Sequence, residues 1–303
     1  MKLIRLAGTI GLLGLLGSTG LRACPGTPFN INDLLRWASP LNWSLLALGG
    51  PTTVTLAGSS SIGMGVRGSV VGIAGQGNLA LDGPSFIQAR VERQPDVTVN
   101  ASISSYVADV HQEDGSPDTM VNKALADALS AAHCMAVLSP TIAEAPPSIN
   151  ITDPSGNITL HADDQLNVVN LTDLILANGV LTLTSGQPPC SDRGMGAADP
   201  GCAFPTVIVN VTGKFAIGGG SKIVLAGGLD EVHVIYNVIG TGDVQFSGDA
   251  DSGIPNSEIT GILFAPYRSV NLGAGRVNGA IIAGGPNITL ASGQIVGHFN
   301  VDQ

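Results

Sequence analysis

Two close groups of aspartates are the residues of this chain best placed for acid–base chemistry. Asp163 and Asp164 are adjacent, and Asp249 and Asp251 are separated by one residue. Enzymes that cleave polysaccharides need carboxylates clustered on one face, where they serve as proton donor and base. Because glycines flank the second group, its pattern indicates a solvated turn, with a calcium site as the functional alternative.

The other reactive residues lack the spacing of a metal or nucleophile site. The run Gly218–Lys222 does not have the spacing of a phosphate-binding loop, and no Gly-x-Ser-x-Gly elbow occurs. The histidines are neither paired at i+4 nor close to cysteines, as a zinc site would require. They are His111, His133, His161, His233 and His298. We therefore predict no catalytic residue, no metal site, no cofactor and no enzymatic activity.

Four cysteines are present. Cys190 and Cys202 bracket a loop rich in Pro, Gly and Asp, and an exported protein meets an oxidising compartment, so we predict a disulfide between them. A pair of isolated buried thiols is the alternative. The spacing leaves open whether Cys24 and Cys134 pair with each other or stay free.

Residues 1–23 have the composition of a signal peptide. Met1–Arg5 is basic, and Leu6–Leu21 is apolar but short and interrupted by glycines. We predict export and a mature chain of residues 24–303 that forms a single domain without a transmembrane segment. A buried N-terminal strand or helix is the alternative for the apolar run. Because Leu21–Cys24 resembles a bacterial lipobox, Cys24 is a candidate site for lipidation and thus for a lipid anchor.

The composition argues against three classes of protein. Of 303 residues, 44% are hydrophobic, 4% aromatic and 12% charged, which is too apolar for a disordered chain and poor in aromatic residues for an ordinary enzyme core. The formal charge is −10, and removal of Lys2, Arg5 and Arg22 with the leader makes it −13. A nucleic-acid partner is therefore not expected.

Near the C-terminus the sequence repeats every eighteen residues. Glu258–Gly261, Arg276–Gly279 and Gln294–Gly297 share one pattern, and Ser269–Leu272 and Asn287–Leu290 share another. Each period therefore holds two short strand-like runs joined by glycine-rich corners. This pattern is typical of a parallel β-solenoid, in which Gly261, Gly279 and Gly297 would be aligned on successive coils.

The same period is predicted in the first third of the chain, where Leu79 and Leu81 precede Val97 and Val99 by eighteen residues. Runs of aliphatic residues divided by Gly and Ser predict further strands. These runs are 44–48, 53–56, 70–73, 158–160, 166–169, 174–176, 180–183, 207–211, 215–217, 223–225 and 232–239.

One long helix is predicted at about 118–138. This stretch has no glycine, and its apolar residues recur on one helical face. Asp118 or Thr119 can cap its first amides, and Pro140 follows its end. A short helix is also predicted at Asn32–Ala38.

Seven Asn-x-Ser/Thr triplets have two interpretations. In a eukaryotic secretory route, some could carry glycans. Within strands, the asparagines can instead hydrogen-bond the backbone or one another in ladders, which is the interpretation we favour. The triplets begin at Asn42, Asn100, Asn150, Asn157, Asn170, Asn210 and Asn287.

Several runs in the C-terminal part resemble a known group of proteins. They are Phe204–Gly213, Gly218–Ser221, His233–Val238, Gly261–Pro266 and Gly279–Gly284. Their order resembles the C-terminal signature of the choice-of-anchor A family of bacterial surface proteins and is similar to the ice-binding-type β-solenoid family. The resemblance implies an all-β, right-handed parallel β-helix with one long α-helix packed alongside, in an exported protein often tethered to a cell.

A non-catalytic extracellular module is the function that these observations favour. We predict a structural or adhesive β-solenoid, secreted or at the cell surface, whose flat polar face meets an extracellular surface, a matrix component or another copy of itself. A polysaccharide-active β-helix enzyme is an alternative. Such an enzyme needs aromatic platforms as well as clustered acids, and the chain has only three Tyr and two Trp.

Ice binding is the other alternative. It requires one face with a regular ladder of small hydroxyl-bearing side chains. The threonines available for such a ladder lack regular spacing along the sequence. They are Thr53, Thr55, Thr159, Thr182, Thr184 and Thr289.

Overall fold

The structure is a computed structural model that describes residues 42–49, 51–63, 69–116, 119–163, 166–186, 205–240, 242–247 and 257–296. Within them the chain forms short strands and one α-helix, α1 (Met120–Ala136), between β8 and β9. In chain order the strands are β1 (Asn42–Ala47), β2 (Thr52–Ala57), β3 (Ser61–Ile62), β4 (Ser69–Ile73), β5 (Gly77–Leu81), β6 (Phe86–Arg93), β7 (Val97–Ala101), β8 (Tyr106–Gln112), β9 (Ile149–Ile151), β10 (Gly156–His161), β11 (Leu166–Leu171), β12 (Leu174–Leu176), β13 (Gly179–Thr184), β14 (Thr206–Val211), β15 (Phe215–Ile217), β16 (Lys222–Ala226), β17 (Val234–Val238), β18 (Val244–Phe246), β19 (Glu258–Ala265), β20 (Val270–Gly273), β21 (Arg276–Ala283), β22 (Asn287–Ala291) and β23 (Gln294–Ile295).

The strands pair in parallel and wind into a β-helix with three faces. The open face is a nine-stranded sheet with the order β7-β5-β2-β22-β20-β18-β15-β12-β9. A bent fourteen-stranded sheet supplies the other two. The charged face contains β10, β13, β16 and the first halves of β19 and β21, and the helix-covered face contains β11, β14, β17, the second halves of β19 and β21, β1 and β4. The predicted parallel β-solenoid with a long helix alongside is confirmed.

The coils do not stack in chain order. C-terminal strand β22 pairs with N-terminal strand β2, so that Thr55 lies opposite Thr289. Strands β21 and β23 likewise pair with β1 and β3. After β8 the chain returns through α1 to β9 at the other end of the stack. The 17-residue helix covers about 25 Å of that return.

The predicted eighteen-residue coil is confirmed in the C-terminal part. Gly261 lies opposite Gly279, where β19 and β21 turn from the charged face to the helix-covered face. Their φ angles are 130° and 138°, and a Cβ atom on Gly279 would lie 2.2 Å from the carbonyl oxygen of Gly261. Only glycine fits this corner. The third predicted glycine, Gly297, lies outside the described residues.

The eighteen-residue prediction is wrong in the first third. Leu79 lies opposite Val99 rather than Val97, so that coil contains twenty residues. Part of the extra length is a bulge in β6, between Ile87 and Arg90, where β6 has one more residue than β8.

The core is a column of mostly aliphatic side chains inside the coils. Three aromatic rings interrupt it, with Phe215 in contact with Tyr236 and Phe246 at centroid distances of 6.3 and 6.2 Å. The hydroxyl of Tyr236 donates to the carbonyl oxygen of Thr260 at 3.0 Å, and burial raises the pKa of this phenol. These three aromatic residues therefore serve the packing of the core.

Helix α1 packs across the helix-covered face, which confirms the helix predicted at 118–138. Thr119 is the N-cap, and its hydroxyl accepts from the amide of Asn122. Alanines such as Ala128 lie against the sheet and allow close approach to Ile208 and Ile235. Among the described residues, no helix combines the length and the apolar character needed to cross a membrane.

An asparagine ladder holds the C-terminal end of α1. Asn210 donates to Asn170 at 2.9 Å, and Asn237 donates to Asn210 at 2.7 Å. Each of the three side chains also donates to a backbone carbonyl at the end of the helix. The acceptors for Asn237, Asn210 and Asn170 are Ala132 at 3.3 Å, Met135 at 2.9 Å and Leu138 at 3.2 Å. The ladder interpretation is therefore confirmed for the triplets at Asn170 and Asn210.

Candidate binding face

The outward side chains of the open face are uncharged and mostly small. In β2, Val54 and Leu56 point into the core, while Thr53 and Thr55 alternate with them on the outer surface. None of the outward positions on the nine described strands of this face carries Asp, Glu, Lys or Arg. These positions are Thr98, Asn100, Asn78, Ala80, Thr53, Thr55, Ala57, Asn287, Thr289, Ala291, Asn271, Gly273, Gln245, Ala216, Ile175 and Asn150.

The N-terminal and C-terminal coils meet on the open face between β2 and β22. Thr55 lies opposite Thr289, and Thr53 lies between Asn287 on one side and Asn78 on the other. Neighbouring coils are about 4.8 Å apart, and alternate residues of one strand are about 6.6 Å apart. The hydroxyl, methyl and amide groups therefore form a regular flat grid.

Hydrogen bonds between side chains order one end of this grid. The Oδ1 atom of Asn78 accepts from the hydroxyl of Thr98 at 2.9 Å and from the amide nitrogen of Asn100 at 2.8 Å. These bonds join β5 to β7 and restrict the rotamers of all three side chains. Their geometry is set before any ligand arrives, which lowers the entropic cost of binding.

The charged face has a different surface. The Nζ atom of Lys222 lies 3.6 Å from a carboxylate oxygen of Glu258. Arg276 donates to Asn278 at 2.7 Å, and Asn278 in turn bonds Glu258. Long charged side chains keep tightly bound water and rotamer freedom, so this face is less suited to a flat solid surface.

The structure divides the threonines that were candidates for a ladder. Thr53, Thr55 and Thr289 converge on the open face. The other three lie on the charged face, where Thr159 is opposite Thr182 and Thr184 follows on the same strand; the latter two are half-buried. The asparagines of the open face and the threonine Thr98 were not recognised as part of a site. The sequence shows that these residues alternate with inward aliphatic residues. It does not show which residues lie beside them on adjacent coils.

The predicted aspartate groups do not form a defined site in the described residues. Asp163 is exposed, and one of its carboxylate oxygens accepts from the amide of Gly186 at 3.2 Å. Asp164, Asp249 and Asp251 lie outside the described residues, so the turn and calcium interpretations stay predictions.

The histidines are far apart. His111 contacts the buried carboxylate of Glu92 at 2.5 Å, whereas His133 and His161 are exposed. Burial lowers the pKa of His233, partly offset by the charge of Asp230. His298 lies outside the described residues. Among the described residues, no three His, Cys, Asp or Glu side chains converge on a common point.

Of the four cysteines, only Cys134 lies in the described part of the chain. It is on α1 and is disulfide-bonded, so the alternative in which Cys134 stays free is wrong. Cys24, Cys190 and Cys202 lie outside the described residues, so the Cys190–Cys202 disulfide and the lipidation of Cys24 stay predictions.

The chain is similar to one protein family and to several solved structures. A family model described as an ice-binding-like adhesive domain matches residues 42–295. An ice-binding protein from the Antarctic ascomycete Antarctomyces psychrotrophicus is 19% identical, with a TM-score of 0.46 over 88% of this chain and 98% of that chain. One from an Antarctic biological consortium is 14% identical, with a TM-score of 0.44 over 97% and 95%. An ice-binding protein domain of Shewanella frigidimarina is 17% identical, with a TM-score of 0.42 over 88% and 95%. No curated protein sequence matches the chain.

Proposed function

Because the chain belongs to the ice-binding-like adhesive domain family, we propose that it is a non-catalytic ice-binding module and that the open face is its ice-binding surface. The observation that supports this assignment is the uncharged outer surface of the open face, which includes Thr53, Thr55 and Thr289. The alternative in the sequence analysis, ice binding, thus becomes the main hypothesis. The adhesive role remains in coarser form, with ice as the surface to which the module adheres.

The physical basis is competition with liquid water. An ice surface offers the same hydrogen bonds as the liquid, so a single contact gains little, and affinity must come from many contacts made together. A rigid sheet with small side chains makes these contacts with little loss of rotamer entropy. Hydroxyl and amide groups at regular spacing can hold first-shell waters in fixed positions, while the methyl groups of Thr and Ala exclude others.

We also propose that the protein acts outside the cell. Export by residues 1–23 would place a single domain, residues 24–303, outside the cell. The resemblance to choice-of-anchor A proteins favours attachment to the cell surface, and lipidation of Cys24 would supply the anchor. Release into the medium is the alternative. A Cys190–Cys202 disulfide would suit the same oxidising compartment, but it is an alternative to lipidation of Cys24, because the disulfide-bonded Cys134 would then need Cys24 as its partner within the chain.

A matched pair of substitutions tests the face. Thr55 and Thr182 are both half-buried, outward-facing threonines in the middle of a parallel strand, one on the open face and one on the charged face. We expect Thr55→Tyr to remove most of the thermal hysteresis and of the inhibition of ice recrystallisation, because a ring that projects from the grid holds its neighbours away from the ice. Thr182→Tyr should retain both activities.

Circular dichroism and thermal unfolding of both variants would verify that the fold is kept. The proposal is overturned by an inactive wild-type protein, or by equal losses in the two variants.

A further inference from the structure

Arg268 is a buried arginine at the corner where the chain turns from the helix-covered face to the open face. Only 2% of the residue is exposed, and it lies between β19 and β20. Its Nε atom donates to the carbonyl oxygen of Gly240 at 2.7 Å, and its Nη2 atom donates to that of Gly213 at 2.6 Å. One side chain therefore joins the corners of three successive coils.

The three corners that Arg268 joins differ in length. Three residues, 212–214, separate β14 from β15, five residues, 239–243, separate β17 from β18, and four residues, 266–269, separate β19 from β20. The strands that follow are nevertheless in register on the open face, where Gln245 lies opposite Ala216 on one side and Asn271 on the other. The bonds from Arg268 cross these unequal corners and fix their positions relative to one another.

The corners are shaped to admit the guanidinium. A Cβ atom on Gly240 would lie 2.2 Å from the Nη2 atom of Arg268 and 1.7 Å from the carbonyl oxygen of Thr212, so only glycine fits there. The backbone of Arg268 continues the link, because the amide of Gly285 donates to the Arg268 carbonyl oxygen at 2.9 Å. Arg268 thus connects the corners that lead into β15, β18, β20 and β22.

The surroundings of Arg268 indicate a role in geometry. No carboxylate among the described residues forms an ion pair with it, and its bonds go to two backbone carbonyls. Burial of a charged group costs free energy, and a well-packed apolar side chain of similar volume often gives equal or greater stability. What an apolar side chain cannot supply is a pair of directed hydrogen bonds that span two coils.

We propose that Arg268 is a positioning residue for the open face, because its hydrogen bonds to Gly213 and Gly240 hold the corners so that the strands after them present one plane. The inference rests on the proposed function, since a flat face matters for contact with a solid such as ice. Arg268 is buried and does not touch that solid itself. It acts through the outward residues Ala216, Gln245 and Asn271.

A comparison of ice activity with stability tests the proposal. Arg268→Met keeps a long side chain and removes both hydrogen bonds, so we expect thermal hysteresis to fall several-fold. Arg268→Lys keeps the charge but not the planar pair of donors and should also lose part of the hysteresis. Asn210→Ala is the control, because it is destabilised beneath the helix rather than at the open face, and it should retain the hysteresis.

Circular dichroism at the assay temperature verifies that each variant is folded. Wild-type hysteresis in Arg268→Met, or an equal loss in Asn210→Ala, would overturn the positioning role.

Hydrogen exchange followed by NMR gives a readout that does not depend on ice. The amides of Val244 and Gly285 donate to the carbonyl oxygens of Ser269 and Arg268, and we expect both to exchange several-fold faster in Arg268→Met. The amide of Ile149, in β9 at the far end of the open face, should keep its rate. Unchanged exchange at Val244 and Gly285 would overturn the proposal. A wild-type protein without hysteresis would instead overturn the proposed function, and the exchange rates would still test the alignment of the corners.

Discussion

At the scale of single residues, the asparagine ladder explains how polar groups are tolerated beneath the helix. Asn210 is buried, and its amide nitrogen donates both to Asn170 and to the carbonyl of Met135. Its Oδ1 atom accepts from Asn237. The side chains of Asn237 and Asn210 also donate to carbonyls in the last turn of the helix, Ala132 and Met135. The ladder therefore holds the end of the helix in place on the sheet. It also links neighbouring coils to one another.

Replacement of Asn210 tests the ladder. Asn210→Ala removes three hydrogen bonds at a buried site, those from Asn210 to Asn170 and to the Met135 carbonyl and that from Asn237 to Asn210, so we expect a loss of about 1–3 kcal/mol in the free energy of unfolding. Urea denaturation followed by circular dichroism measures it. Asn271→Ala, an exposed asparagine on the open face, is the control and should change little. If the two variants are equally stable, the ladder contributes nothing.

At the scale of elements, the helices and strands that could be predicted are those with a regular pattern in their own sequence. Helix α1 was found to within two residues because its cap, its lack of glycine and its apolar face are local features. Strands made of consecutive aliphatic residues were found for the same reason. Strands β3, β6, β8 and β18 were missed, since β6 and β8 carry charged residues and β3 and β18 have only two and three residues. Such strands are held mainly by the coils above and below them.

Substitution of two alanines tests the packing of α1 against the sheet. Ala128 is fully buried against the sheet, whereas Ala126 is exposed on the same helix. Ala128→Asp places a charge in the apolar interface and should lower the free energy of unfolding by about 3 kcal/mol or more. Ala126→Asp has the same helix propensity cost without the burial. Thermal or urea unfolding distinguishes them, and equal destabilisation would show that α1 does not depend on this contact.

At the scale of the whole molecule, the order of the coils could not be predicted. Self-similarity in the sequence shows that coils stack, but it does not show which coil lies on which, and continuous winding would separate β2 from β22 by eight coils. Thr55 and Thr289 were therefore candidates as individual residues only. Their adjacency depends on the return of the chain through α1 and on the pairing of β2 with β22.

This composite face yields the most direct test of the account, which is the incorporation of the protein into slowly growing ice. We expect the wild-type protein to enter the ice and Thr289→Tyr, on the C-terminal coil, to be largely excluded, as Thr55→Tyr should be. Thr260→Tyr, on the charged face of the adjoining C-terminal coils, should enter like the wild type. Exclusion of the wild-type protein from the ice, or normal incorporation of Thr289→Tyr, would contradict the assignment of the open face as the ice-binding surface.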